Sequence, residues 1–320
     1  MLRVPHARLL SSVKNYKRWR FLPRVDATPR EARDPPPPLP SPKYLDVHGR
    51  CTVEYIDIPP FKEALRGHEA PVTIVLVHGA PGSYNDFRHL IPKLNHPHWR
   101  ILGINLPGYA GSKVSGEHYL DSVSALPTAE LVLEVVNKLC VINVAAQEKH
   151  KKFTVRGMAL LAPAGCRPHK VLRPRESAMV VNMLRRDNPV ISALTSHFIK
   201  AIYTRLLKFP RDQPAGHYLA GLVCAGTTDF NVIREQVDIL RELKIPTLAA
   251  WSQNDVFMEE EIPVELARLC SPGPRLVFAK GGHNVQKTRA EQISNALSKW
   301  IEEVVDEEDH AKEQPIQLLP

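Results

Sequence analysis

The sequence predicts an α/β fold: a mostly parallel, twisted sheet with helices on both faces and a helical insertion in its second half. Three observations predict it. From Lys43 onward, short β-branched runs alternate with helical patterns, the rhythm of a parallel sheet covered on both sides. One run, Val72-Thr-Ile-Val-Leu-Val77, is apolar apart from Thr73, as expected of a strand buried on both faces. Between about Cys166 and Leu243 the alternation stops and only helical patterns continue, which predicts a helical lid over the sheet.

Taken in order, residues 1–33 form a basic leader. Its first 25 residues hold Arg3, Arg8, Lys14, Lys17, Arg18, Arg20 and Arg24 with no acid, and Leu2, Leu9, Leu10 and Val13 can line one helical face. That composition suits a mitochondrial presequence, and a disordered basic tail is the bland alternative. Residues 34–42, Asp-Pro-Pro-Pro-Pro-Leu-Pro-Ser-Pro, lack the backbone donors for helix or sheet and read as an extended linker. The domain spans 43–305, with the lid at about 166–243, and 306–320 reads as a polar tail.

Strands are predicted at Thr52–Ile58, Val72–Val77, Arg100–Asn105, Val155–Ala162, Thr247–Trp251 and Arg275–Ala279. Helices are predicted at Tyr84–Leu94, Thr128–Leu139, Glu259–Cys270 and Thr288–Val305, with Glu176–Arg186 and Val190–Leu207 in the lid. Thr288 with Glu291 three residues on predicts a capping box.

The net charge of +8 is concentrated at one end. Residues 1–42 carry nine Lys/Arg against three acids, so the body is nearly neutral, and it shows no nucleic-acid-binding pattern. No apolar run approaches the roughly 20 residues that span a bilayer, so no transmembrane segment is expected. Cys51, Cys140, Cys166, Cys224 and Cys270 are scattered and odd in number, and read as reduced thiols. No metal-ligand spacing or cofactor motif stands out, so neither a metal nor a cofactor is expected. The oligomeric state stays open.

The chemistry sits at strand ends. His78-Gly-Ala-Pro-Gly82 follows the apolar strand directly, where a turn at His78, Gly79 and Ala80 can aim the Ala80 amide at a developing oxyanion. Asn105-Leu-Pro-Gly-Tyr-Ala-Gly-Ser112 follows the next strand. Here the chain resembles the α/β-hydrolase superfamily from about Tyr44 to Val305, with Asn105 where an aspartate is commoner and Ala110 beside Gly111. The resemblance implies an esterase- or epoxide-hydrolase-type fold, a small-molecule acyl or ester ligand, and a pocket-rim role for the second loop. It also implies roles for two later loops. Asp255, in Trp251-Ser-Gln-Asn-Asp255, matches the triad acid, and His283, in Lys280-Gly-Gly-His283, matches the triad histidine 28 residues on. In such a pair the acid fixes the imidazole tautomer and the imidazole moves the proton.

The nucleophile is missing. No Gly-x-Ser-x-Gly turn occurs, no serine lies between Ala125 and His169, and Val141 and Val144 resist the strained angles of an elbow. Cys140 lacks the glycine neighbours that would expose a thiol, Asn143 cannot act as a nucleophilic aspartate, and Ser83, Ser112 and Ser252 stand on rim loops without a motif. About 15 residues separate Leu139 from Val155, too few for a strand, an elbow and a helix. The pattern is that of a segment cut out near Val144/Ala145, by splicing, by an incomplete gene model or by evolution. A strand remnant at Cys140–Val144 is predicted to fill the slot, followed by a shortened helix over Ala145–Lys152. Three functions remain: a hydrolase without its attacking atom, a non-catalytic ligand-binding or scaffold protein, and an active hydrolase with an unrecognised nucleophile.

Overall fold

The computed structural model describes residues 35, 37–61, 72–94, 96–145, 154–169, 171, 173–186, 188–306 and 316–319. The leader, most of the predicted 145–152 helix and residues 307–315 lie outside the described residues.

The chain begins with a hairpin, β1 (Lys43–Val47) against β2 (Cys51–Ile58), antiparallel from Lys43 opposite Tyr55 to Val47 opposite Cys51. His48 and Gly49 hold its turn with positive φ of 53° and 67°, the angles that match the strand twist. β3 (Val72–Val77) follows, and then two 3₁₀ turns, Tyr84–Phe87 and Ile91–Leu94, in place of the single helix predicted there. Pro92 explains the break, because it has no amide to give to the carbonyl four residues back. β4 (Trp99–Ile104) runs parallel to β3 and antiparallel to β2, and the short β5 (Lys113–Val114) pairs with β2.

After the short α1 (Tyr119–Ser122), α2 runs from Ala125 to Ala145. This overturns the predicted remnant strand at Cys140–Val144. Pro127 lies in the first turn, where proline is tolerated, and no glycine or proline follows it in the helix, so nothing in the sequence stops it. Leu131, Val135 and Leu139 bury one stripe of α2 against Val53, Leu102 and Ile104. Arg100, paired through two nitrogens with Asp57, also donates to the Leu139 carbonyl and ties α2 to the sheet.

β6 (Met158–Leu161) leads into four helices: α3 (Pro174–Leu184), α4 (Pro189–Ala201), α5 (Ala215–Thr227) and α6 (Phe230–Glu242), with a π-helical turn at Ile202–Leu206 after α4. Then come β7 (Thr247–Ser252), α7 (Glu261–Leu269), β8 (Arg275–Phe278), α8 (Val285–Thr288), α9 (Ala290–Asp306) and β9 (Ile316–Leu319). The predicted capping box does not form: Thr288 closes α8, with its hydroxyl donating to the Gly281 carbonyl at 2.7 Å. Part of the tail read as polar forms β9, which pairs with β8.

The strands make two sheets, β1-β2-β4-β3 with β5 on β2, and the all-parallel β6-β7-β8-β9. β3 and β6 each end their sheet, with no partner on their outer sides among the described residues. The consequence shows in burial. β3 was expected to be covered on both faces, yet Val72, Ile74 and Val75 are half-buried and Val77 is 44% exposed. On one face a single core bridges both sheets, joining Leu76 and Ile101 to Leu248 and Phe278 under Ile293 and Trp300 of α9. On the other face α2 and α7 each cover only their own sheet. The fold is held together across the break from one side.

Candidate active site

Asp255 follows β7, and the local turn aims its carboxylate. Oδ1 accepts the amides of Phe257 (2.8 Å) and Met258 (3.1 Å), and Oδ2 meets Nδ1 of His283 at 2.8 Å. Burial alone would push the Asp255 carboxyl up, but the His283 imidazole and the two amides outweigh it and hold the group below the ordinary carboxylate range. The side chain of Asp255 is 4% exposed and that of His283 34%, so the acid is inside and the imidazole at the edge of solvent. An ionised acceptor at Nδ1 fixes the proton there and leaves Nε2 to accept another. The structure thus brings together the two relay residues that the sequence singled out.

A third residue positions them. Asn254 Oδ1 accepts the Ser252 hydroxyl at 2.6 Å and the amides of Gly281 and Gly282 at 3.0 and 2.9 Å, clamping the histidine loop onto the end of β7. Gly282 has φ +67°, which a side chain would strain. Asn254 was missed in the sequence; the signal was an asparagine directly before the acid, with two glycines ahead of the histidine.

The loop after β3 is built independently. His78 is buried, Nε2 accepting the Leu106 amide at 3.0 Å and Nδ1 donating to the Gly79 carbonyl at 2.7 Å. Burial drops its pKa to about 4, so the ring is neutral and staples the β3 loop to the β4 loop. Both its nitrogens are occupied by backbone, so His78 shapes the proposed anion cradle without contributing a donor to it. Gly79 and Ala80 are exposed, and the Ala80 amide has no hydrogen-bond partner among the described residues. At Gly82 an added Cβ would lie 2.6 Å from an Asp86 oxygen and 2.7 Å from the Gly79 carbonyl, so only glycine lets this loop close. The Tyr84–Phe87 turn packs on α8, which puts Asp86 in the electrostatic reach of His283 across the sheet break.

Asn105 explains its own departure from the aspartate common in similar loops. Fully buried, it accepts the Tyr84 amide at 2.8 Å and donates through Nδ2 to the buried Glu54 carboxylate, which also accepts the Gly111 amide at 2.9 Å. An aspartate there would set two carboxylates in contact. Two of the three candidate serines are spent internally: Ser112 donates to the Asn105 carbonyl and accepts the Glu54 amide, and Ser252 donates to Asn254. Among the described residues, the one hydrogen bond of the His283 ring is to Asp255.

Between cradle and relay runs a succession of aromatic rings. His78 meets Tyr109, Tyr109 meets His217, and His217 meets Tyr218. Tyr218 continues to Tyr203, then Phe209, Phe257 and His283, each step 5.1–5.7 Å between centroids from His78 onward. Such spacing is that of contacting rings. Two polar atoms on this wall, Tyr109 Oη and His217 Nδ1, are buried without a partner among the described residues. Burial lowers the His217 pKa to about 4 and raises that of Tyr109 well above its ordinary value, so both groups are neutral. No sequence periodicity marks this wall, because its rings come from separate loops and helices. Among the described residues no cluster of His, Cys, Asp or Glu is placed to hold a metal ion, and no helix is long and apolar enough to cross a membrane.

The family described as alpha/beta hydrolase of unknown function (DUF1057) matches residues 59–313. The chain belongs to that family. As an alpha/beta hydrolase it keeps the family fold despite the break: an esterase from Exiguobacterium antarcticum superposes with a TM-score of 0.54 at 14% identity, covering 81% of this chain and 98% of that one. A haloalkane dehalogenase loop variant from Bradyrhizobium elkanii gives 0.54 at 16% identity over 82% and 97% of the two chains. A lipase described as putative from Acinetobacter baumannii gives 0.55 at 16% identity over 82% and 91%. At such identities the likeness establishes the fold of this alpha/beta hydrolase. A search of curated proteins finds no match.

Proposed function

We propose that this alpha/beta hydrolase binds an ester or other acyl ligand in its cleft without turning it over. The observation that carries the reading is α2, which runs unbroken to Ala145, into the interval where a nucleophile turn would stand, beside a sheet edge that has no partner strand among the described residues. In an active relative of this design, His283 would take a proton from the attacking group while Asp255 stabilises the resulting cation, and the Ala80 amide would meet the oxyanion. Here Nε2 of His283 has no hydroxyl or thiol to deprotonate among its described hydrogen bonds. Loss of a nucleophile lowers turnover by about a million-fold even with the other groups in place.

Ligand binding depends on different parts, and those remain. The half-buried end of the aromatic wall, Tyr203, Phe209 and Phe257 beside His283, offers apolar surface. In this reading residues 166–243 act as the lid that sets ligand shape, and the basic leader of residues 1–33 is a mitochondrial address.

The test pairs turnover with binding. With p-nitrophenyl esters of graded chain length, we expect no hydrolysis that depends on His283, and saturable binding of matching non-hydrolysable ketones that Phe257→Ala weakens. Hydrolysis abolished by His283→Ala would overturn the proposal.

A further inference from the structure

The surface of α4 is inverted relative to a water-facing helix. Its inner line holds Thr195 and Ile199, at 9% and 3% exposed, while Val190, Leu194 and Phe198 point outward at 65%, 68% and 65%. These three are spaced by four residues and form one stripe. Leu206, 72% exposed at the end of the π-helical turn, extends it, so the stripe covers about 24 Å at the helical rise. On α3, Met179 is 71% and Met183 37% exposed, again four residues apart. Exposures near two-thirds mean that the side chains stand out from the surface and do not line a groove.

The charge around the stripe is predominantly basic. Residues 173–212 hold eight Lys/Arg against Glu176, Asp187 and Asp212. Arg185 and Arg186 stand at the start of the α4 stripe and Arg205 and Lys208 at its end, all exposed. A second copy of this face would bring like charges together, which disfavours self-association through it. An acidic protein would need a groove shaped to the projecting side chains. A lipid surface needs no such shape: apolar side chains enter the headgroup boundary while the cations meet anionic headgroups.

We propose that the outer face of α4, with the π-helical turn and the neighbouring methionines of α3, is a docking surface for an anionic phospholipid bilayer. This inference is independent of the catalytic reading and stands whether or not the cleft turns over a substrate.

Flotation of the full chain with vesicles tests it. Vesicles of one part phosphatidylglycerol to two parts phosphatidylcholine should carry the protein up, pure phosphatidylcholine should carry far less, and added salt should weaken the binding. Leu194→Ser with Phe198→Ser should lower the affinity about tenfold. Arg185→Ser with Arg205→Ser should lower it about fivefold per charge removed. These positions face outward, and unchanged circular dichroism checks the fold; as a variant that keeps the stripe apolar, Phe198→Trp should shift its fluorescence to the blue on anionic vesicles only. Equal binding to neutral vesicles would overturn the proposal, as would wild-type affinity in the stripe variant, which would assign the contact to another part such as the basic leader. Capture of an acidic protein by this face without vesicle affinity would also overturn it.

Discussion

The loops after β3, β7 and β8 and the interval between α2 and β6 belong to one scaffold but depend on the sheet in opposite ways. The relay is closed within one sheet: Asp255 is held by its own turn, and Asn254 clamps the histidine loop across the ends of β7 and β8. The cradle loop is closed within the other sheet, by His78 on Leu106, Asp86 on Ser83 and Asn105 on Tyr84. A nucleophile turn has no such local support, because its angles are imposed by a strand on one side and a helix on the other. On the proposed reading, loss of a central strand removes one member of the set and leaves the others assembled, because groups held by local hydrogen bonds do not depend on that strand.

The largest expected effect comes from restoring what is missing. Inserting a strand, a Gly-x-Ser-x-Gly turn and a helix between Val144 and Ala145 should raise ester hydrolysis by about a million-fold, with the two sheets joined into one. If the insert folds and no activity dependent on His283 appears, the relay is not a working remnant and the comparison breaks.

Asn105→Asp probes the cradle side. Placed against the Glu54 carboxylate, the new charge should destabilise the fold by about 3 kcal/mol at neutral pH, and the cost should shrink on acidification as a proton enters the pair. Denaturant titrations at several pH values check this, and a loss that does not vary with pH would refute the charge argument.

The His78 staple has its own pH signature. Its folded pKa of about 4 lies below the ordinary 6.5, so the unfolded chain takes up the proton first. The staple's contribution is complete above about pH 6.5 and drains away as the pH falls toward 4, amounting to about 3 kcal/mol in all. His78→Gln should flatten that limb of the stability profile while leaving the relay side unchanged.

A smaller effect is expected from Asp255→Asn. The folded Asp255 carboxyl sits below its ordinary value, so its stabilisation is present above about pH 4 and is lost as the pH falls through the lower folded pKa. Removing the charge should cost about 2 kcal/mol at pH 7 and little at pH 2, as thermal melts would show. The smallest signal is local: alternate amides of β3 and β6 should exchange with deuterium faster than those of β4 and β7, since only the first pair has a side with no partner strand among the described residues.

What could be read from the sequence follows the same division. Asp255, His283 and the His78–Gly82 loop were legible because each is a short motif at the end of a strand whose apolar pattern is clear. The fold class was legible for the same reason. The fate of Cys140–Val144 was not: its β-branched residues suit a strand, but with no breaker after Pro127 the helix carries on, and among the described residues no strand fills the slot. Asn254 was overlooked because its partners are backbone amides more than 25 residues away, which leave no mark in side-chain chemistry. The aromatic wall draws on loops and helices far apart in sequence. β9 was hidden because four residues in a charged tail become a strand only against the ready edge of β8.

The central claim is that relay and cradle survive without an atom to activate. Exposure of the chain to an alkyl fluorophosphonate, followed by intact-mass analysis beside the His283→Ala variant, tests it most directly. The account predicts no adduct that depends on His283; one phosphonyl group per chain on the unaltered protein, and none on the variant, would contradict it.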